Sequence, residues 1–217
     1  SMASALIHMA VAKKVNKILK EDEKPFLLGS IAPDVAKIVG IDRGKTHFVD
    51  DSKSASPNIK LFLKKYRSKL NEPFELGYYI HLVTDVLWFD EFLPNFIKNG
   101  RIRDKEDNII KVSQKEGIEF LYSDYSNINK KLLDYYNFDL SLFYEPFDFP
   151  ESHIEEVPSI YFGALISKMG VICSSASNQN SDDDNFIFDI EEITHFVEYA
   201  TIYCLDDIKK DGIRYLK

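Results

Sequence analysis

Two side chains that bind metals, His81 and Asp85, lie four residues apart in a segment that is otherwise almost entirely apolar. Residues 70–97 contain no Lys or Arg. On a helix, residues four apart point to the same side, so both side chains can reach one ion. A buried, ionised Asp85 needs a positive partner, because desolvating an isolated carboxylate is very costly. That charge must come from another segment or from a metal ion.

Three earlier residues are candidates to complete such a site. His8 occupies an inward position of a predicted amphipathic helix, where an aliphatic residue is expected. Asp34 falls in what reads as the first turn of a helix, and His47 stands in a Lys-Thr-His-Phe segment without clear periodicity. Each also fits a purely structural role, such as a core His bonded to the backbone or a carboxylate that complements a helix dipole. Their order along the chain favours a shared metal site.

Two further acids are weaker candidates for metal ligands. Asp50 follows His47 closely, and Asp124 lies in a long predicted helix. Both also fit solvated surface acids. His195, in the last predicted helix, is better explained by packing or by exposure.

The elements that must position these side chains are helical. No stretch alternates with a period of two residues, so we predict an all-α, single-domain bundle with a buried metal site. Helices are predicted over residues 3–19, from a start within 29–34, and over 57–70, 73–92, 113–136, a short segment near 140 and 190–207. The remaining segments are predicted as an exposed loop at 98–111, an irregular connection at 145–158 and a polar, mobile loop at 173–185.

Bulk composition narrows the functional class. The 217 residues are 45% hydrophobic and 29% charged, which suits one well-filled core. A net charge of −8 argues against sequence-independent nucleic-acid binding, for which a clustered positive charge is typical. We expect no membrane span, because no apolar run approaches about 20 residues. The first residues lack a secretory pattern, and Cys173 and Cys204 fit reduced thiols, so a cytoplasmic protein is expected.

Four segments together resemble the zinc-dependent phospholipase C family, whose helical fold is shared with the fungal single-strand-specific nucleases. They are His8 with Val-Ala at 11–12, Leu-Gly-Ser-Ile-Ala-Pro-Asp at 28–34, Thr-His-Phe at 46–48 and Gly-Tyr-Tyr-Ile-His-Leu-Val-Thr-Asp at 77–85. The resemblance covers about residues 3–90, and the remaining helices only loosely.

The resemblance implies hydrolysis of a small phosphoester or a phospholipid by metal-activated water. By position, Asp34, His47, His81 and Asp85 would surround one zinc ion. Asp85 would also bridge to a second zinc beside His8. Either Asp34 or Asp85 would serve as the base that orients the attacking water.

The sequence also departs from that family. The N-terminal Trp that the family uses as a ligand is absent, and no His lies between Asp85 and His153 to build a further site. One or two metal ions are therefore expected, and iron or manganese would also suit the ligand set. Two alternatives stay open: a non-catalytic helical protein stabilised by metal, and a nucleotide phosphohydrolase. The second is disfavoured, because the chain lacks the His-Asp dipeptide of the helical His-Asp phosphohydrolases.

Overall fold

The computed structural model of the chain describes residues 4–178 and 185–213, and these are mostly helical. The helices are α1 (Ala5–Leu19), α2 (Glu23–Ile31), α3 (Val35–Val39), α4 (Arg43–His47), α5 (Ile59–Tyr66), α6 (Pro73–Leu87), α7 (Gln114–Tyr136), α8 (Ser141–Tyr144), α9 (Phe162–Ser177) and α10 (Ile190–Lys210). Short 3-10 turns lie at Ala32–Asp34, Arg67–Lys69, Leu93–Asn95 and Ser159–Tyr161, and a π-helical turn at Trp88–Phe92 extends α6.

Local sequence signals explain several helix ends. The Ser4 side chain caps α1 by accepting from the backbone N–H of Ile7, and Pro73 occupies the first turn of α6. Ser113 and Glu116 form a reciprocal capping box at the start of α7. The predicted helices at 3–19, 73–92 and 113–136 are confirmed to within a few residues.

The prediction of an exposed loop at 98–111 was wrong in part. A small antiparallel sheet of order β1-β2-β3 forms there from β1 (Ile97–Lys98), β2 (Arg101–Arg103) and β3 (Ile109–Lys111). Its strands are short, and Ile102 is its fully buried member. Two or three residues per strand are too few to show a period-two pattern, which is why the sequence gave no signal.

The predicted helix start within 29–34 is confirmed in part, because a 3-10 helix begins at Ala32 with Pro33 and Asp34 in its first turn. The first residues of this range contain the end of α2, whose members Phe26, Leu28 and Ile31 are fully buried. The hydroxyl of Ser30 donates to the carbonyl of Leu27 rather than capping a following helix. The Ala-Pro-Asp segment then forms a 3-10 turn, so Asp34 lies at a junction between helices.

Helix α6 lies at the centre of the fold and packs closely against α2. Gly29 of α2 and Gly77 of α6 meet at this crossing. A Cβ added to Gly29 would overlap the backbone carbonyl oxygen of Phe74, and one added to Gly77 would overlap that of Phe26. The absence of side chains at these two positions therefore lets the helix backbones touch. His81 lies one turn beyond Gly77, so the close crossing sets its distance from α2.

Helix α9 corrects the prediction of a polar loop at 173–185. Residues 173–177 continue the helix, because Cys173 and Ala176 are buried on its inner face. Residues 179–184 of the predicted loop lie outside the described residues. Cys173 and Cys204 are both buried free thiols.

One helical segment among the described residues, Ser159–Ser177, is long and apolar enough to cross a membrane by length and composition. Its mean hydropathy is 1.3, and 33% of its apolar window is buried. This differs from the expectation that no run approaches that length. A helix of this kind is weak evidence for a span, because core helices pass the same test, and α9 packs against α7 and α8.

Candidate metal centre

Five side chains of the ligand type converge between four elements. His8 comes from α1, Asp34 from the 3-10 turn after α2, His47 from the last turn of α4, and His81 and Asp85 from α6. All five are buried, with exposed fractions between 0 and 5%. The fold therefore brings together the five residues that the sequence predicted, within an otherwise apolar core.

In four of these residues, the two imidazole nitrogens lie within 3.6 Å of each other and of one oxygen from each carboxylate. Nε2 of His47 lies 3.3 Å from Nε2 of His81 and 3.2 Å from Oδ1 of Asp34. Nε2 of His81 lies 3.5 Å from Oδ1 of Asp34 and 3.5 Å from Oδ2 of Asp85, and Nε2 of His47 lies 3.6 Å from the same Oδ2. Ligands about 2.0 Å from a tetrahedral zinc ion stand about 3.3 Å apart. Each of the five separations fits neighbouring ligands of one ion. Among the described residues, the two groups that could hold an ion are His47, His81 and Asp85, and His8, Asp34 and His81.

The fifth residue, His8, faces the second oxygen of Asp85. Its Nε2 lies 3.0 Å from Oδ1 of Asp85, yet neither atom makes a hydrogen bond with good geometry to any described residue. The ring of His8 stacks on that of His81, with centroids 3.5 Å apart and planes inclined by 7°. A close but misaligned nitrogen and oxygen pair suits two ligands of a shared cation better than a donor and an acceptor. Asp85 is thus placed to bridge two positions.

Outer hydrogen bonds fix the orientation of two imidazoles. Nδ1 of His81 lies 2.6 Å from the carbonyl oxygen of Ser30, and Nδ1 of His47 lies 3.2 Å from that of Arg43. A carbonyl oxygen can only accept, so in each ring Nδ1 carries the proton and Nε2 keeps its lone pair for the centre. Thr46 supports this arrangement by donating its hydroxyl to the carbonyl of Pro33. Such partners are typical of metal-binding histidines.

Burial and mutual interaction set the protonation of the cluster. Burial lowers the pKa of His8 and of His47. Burial alone would raise the pKa of Asp34 and Asp85, but the neighbouring imidazoles offset it and both pKa values are lowered. For His81, burial is outweighed by the two carboxylates, which raise its pKa. Ionised carboxylates and mostly neutral imidazoles are the state that metal ligands require.

Arg43 is a neighbour of the cluster that the sequence reasoning missed. Its Nη2 lies 3.5 Å from Oδ2 of Asp85, its Nη1 donates to the carbonyl of Ala55, and its guanidinium stacks 5.2 Å from the ring centre of Phe89. Arg43 precedes His47 by four residues, a helical spacing that could have indicated it. It supplies part of the positive charge that residues 70–97 lack.

The weaker candidates lie elsewhere. Asp50 is exposed and accepts from the side-chain amide of Asn58 at 2.6 Å. Asp124 is buried, but its carboxylate accepts from three backbone N–H groups of residues 186–188. His195 is exposed on α10, and His153 pairs with Glu75 at 3.1 Å. Neither acid joins the two metal-capable groups found among the described residues.

The cluster reaches the surface of a cavity through one member. Asp34 lines a cavity of about 250 Å³ between α1, α3, α7 and α9, and the other four residues do not line this cavity. Any small molecule that meets the centre from this cavity therefore meets Asp34 first.

Comparisons with known proteins return no relative. No protein-family model, no curated protein and no solved structure matches this chain. What the structure establishes is a mostly helical protein with buried His and Asp groups that could hold a metal ion.

Proposed function

We propose that the protein is a metal-dependent phosphoester hydrolase of the kind that the resemblance to the zinc-dependent phospholipase C family implies. The observation that carries the proposal is the burial of Asp34, His47, His81 and Asp85 together, with one oxygen of each carboxylate within 3.6 Å of both imidazole nitrogens. Two imidazole nitrogens 3.3 Å apart, with a carboxylate on each side, have the spacing of neighbouring ligands on one zinc ion.

Zinc is the metal that this ligand set favours. Two imidazoles and two carboxylates form a complete tetrahedral set for zinc, and iron or manganese also accept such ligands. A second ion would lie between Oδ1 of Asp85 and Nε2 of His8, which are 3.0 Å apart. His8 also forms a metal-capable group with Asp34 and His81 among the described residues.

The bound metal would supply Lewis acidity and lower the pKa of a coordinated water. The protein residues supply position and charge. Asp34, which faces the cavity, is placed to accept a proton from a water entering there and to orient it. Asp85 is closed off from the cavity and acts through its contacts with His8, His81 and Arg43. The substrate is a small phosphoester or the ester of a phospholipid.

The test combines elemental analysis of the purified protein with hydrolysis of 4-nitrophenyl phosphate and bis(4-nitrophenyl) phosphate. We expect at least one transition metal per chain and metal-dependent turnover. His81→Ala should lose the metal and reduce turnover by at least about a thousandfold, as expected when a metal-activated step is removed. The matched control is His195→Ala, an exposed His on α10, which should change neither. A metal-free protein, or equal turnover in both variants, would reject the proposal.

A second candidate is a metal that only stabilises the fold. It is favoured by the burial of His8, His47, His81 and Asp85, whose exposed fractions do not exceed 1%, because structural sites are closed. In that case chelation lowers the melting temperature, yet no phosphoester in a panel that includes nucleotides is hydrolysed. The same two measurements thus separate the candidates.

A further inference from the structure

The cavity that Asp34 lines has a composition suited to an amphiphilic ligand. Its walls are mainly apolar, and two ammonium groups and several polar atoms stand among them. Apolar side chains line it from α1, α3 and α9, among them Leu6, Ile38, Met169 and Ile172. The polar lining residues include Tyr122, Tyr125 and Asn129 on α7 and Lys168 on α9. Its volume of about 250 Å³ lies just below that of pockets for drug-sized ligands, about 300 Å³ and above, so it suits a compact ligand.

Two buried polar atoms in this lining lack partners. The hydroxyl oxygen of Tyr125 and Oδ1 of Asn129 are shielded from solvent and make no hydrogen bond to any described residue. Tyr125 is 5% exposed, its ring lies 5.9 Å from that of Trp88, and the indole N–H of Trp88 approaches the Tyr125 hydroxyl without forming a well-aligned hydrogen bond. Buried polar atoms are almost always paired, and each unpaired one carries a desolvation cost. A bound ligand with polar atoms would satisfy them.

Positive charge at the cavity is available to an anion. Lys37 follows Asp34 by three residues; its ammonium donates to the hydroxyl of Tyr122 at 2.8 Å and forms no ion pair within the described ranges. Lys168 is exposed and likewise forms no ion pair there. A protein with a net charge of −8 has carboxylates in excess, so two lysines without acidic partners at one cavity favour a negative ligand.

We propose that this cavity is the substrate pocket and binds the compact apolar or aromatic group of a phosphoester, with the phosphate facing Asp34 and the two lysines. The inference rests on the function proposed above, because the carboxylate of Asp34 would repel a phosphate unless a metal ion offsets its charge. Tyr125 and Asn129 act as positioning residues that hydrogen-bond the ester from α7. A phosphate with only a methyl group leaves the apolar wall unused.

The binding test uses non-hydrolysable probes on the metal-loaded protein, measured by titration calorimetry. Phenylphosphonate should bind at least about tenfold more tightly than methylphosphonate, because only its ring buries apolar surface in the cavity. Ile172→Trp, which fills the cavity from α9, should abolish this preference. The matched control is Ile166→Trp, a half-buried Ile of the same helix that does not line the cavity and should keep the preference.

A second variant tests the polar contacts without changing volume. Tyr125→Phe removes only the hydroxyl that lacks a partner, so we expect the melting temperature to be unchanged or higher. The affinity for both phosphonates should fall by about fivefold to tenfold, the usual effect of one lost hydrogen bond. A merely structural tyrosine would instead lose stability and leave affinity unchanged, which contradicts the positioning role.

The outcomes separate this inference from the proposed function. Metal-dependent hydrolysis of 4-nitrophenyl phosphate, together with equal affinity for the two phosphonates, would overturn the pocket and leave the function in place. A protein without metal or hydrolysis would overturn the function. The pocket is supported if phenylphosphonate is preferred, if Ile172→Trp removes that preference and if chelation weakens both probes.

Discussion

Two buried aspartates, Asp85 and Asp124, stand in opposite chemical surroundings. Asp124 accepts hydrogen bonds of 2.7 to 2.9 Å from three consecutive backbone N–H groups, which join the segment before α10 to α7. Asp85 is also fully buried, but it faces three imidazoles and one guanidinium at 3.0 to 3.6 Å. Oδ1 of Asp85 has no well-aligned donor in the described part of the chain.

The difference shows what separates a structural acid from a candidate ligand. Burial is equal in the two cases, so burial alone decides nothing. Asp124 is satisfied by donors that the backbone supplies, and its carboxylate has no need of a cation. Asp85 is surrounded by three imidazoles and the guanidinium of Arg43, and His47 and His81 form with it a group that could hold a metal ion. Four variants or treatments sharpen this comparison.

The largest effect is expected from the crossing that holds α6 in place. Gly77→Ala puts a methyl group into the backbone of α2 at Phe26, so we expect the free energy of unfolding to fall by more than about 3 kcal/mol. The arrangement of His8, His47, His81 and Arg43 around Asp85 should be lost together with this crossing. Denaturant unfolding provides the measurement. Gly163→Ala is the control, because nothing lies within 4 Å of its added Cβ, and stability there should hold or rise. Equal effects of the two substitutions would contradict the tight crossing.

Asp124→Asn should be next in size. The amide keeps one acceptor and loses charge-assisted bonds to the backbone of residues 186–188, which predicts a loss of about 3 kcal/mol. The loss should be the same with and without metal, as measured by thermal unfolding in zinc and in chelator. Asp206→Asn, at an exposed position of α10, is the control and should change stability little. If the stability loss of Asp124→Asn depended on metal, Asp124 and Asp85 would not differ in the way described.

Metal removal tests the other side of the comparison. At a free zinc concentration one hundred times the dissociation constant, binding stabilises the folded state by about 2.7 kcal/mol. Chelation should therefore lower the melting temperature of the natural sequence and of Asp124→Asn, but not that of Asp85→Asn. Identical melting curves with and without zinc in the natural sequence would argue against a metal centre.

The smallest effect is expected at Glu75, another buried acid. It lies on α6 and pairs with His153. Burial raises the pKa of Glu75, so the folded state disfavours its ionised form. Below the unfolded pKa of about 4.3 the carboxyl is protonated in both states, and the stabilising effect of the raised pKa is complete. It is lost as the pH rises through the folded pKa.

Glu75→Gln should accordingly be as stable as the natural sequence near pH 4 and more stable, by up to about 1 kcal/mol, at pH 7. Unfolding at the two pH values measures the difference. Glu119→Gln, at an exposed position of α7, provides the control. A variant that is less stable at pH 7 would mean that the His153 ion pair outweighs the burial of Glu75.

Much of the helical architecture could be predicted, because apolar periodicity and caps are local. Pro73 and Ser113 mark the starts of α6 and α7 in the sequence itself. The small sheet around Ile102 and the helix that continues through Cys173 were missed. Two or three residues per strand carry no usable period, and the polar serines around Cys173 conceal the buried side of α9.

By itself, the sequence determined the types and order of the five candidate ligands, His8, Asp34, His47, His81 and Asp85, and the helical spacing of the last two. Only the tertiary structure decided that their atoms meet at 3.0 to 3.6 Å, that Arg43 joins them and that Asp34 lines the cavity beside α7 and α9. The same structure assigned Asp124 to the backbone instead. The reason is physical: spacing along a chain fixes which face of one helix a side chain occupies, whereas separation between helices depends on how closely their backbones pack.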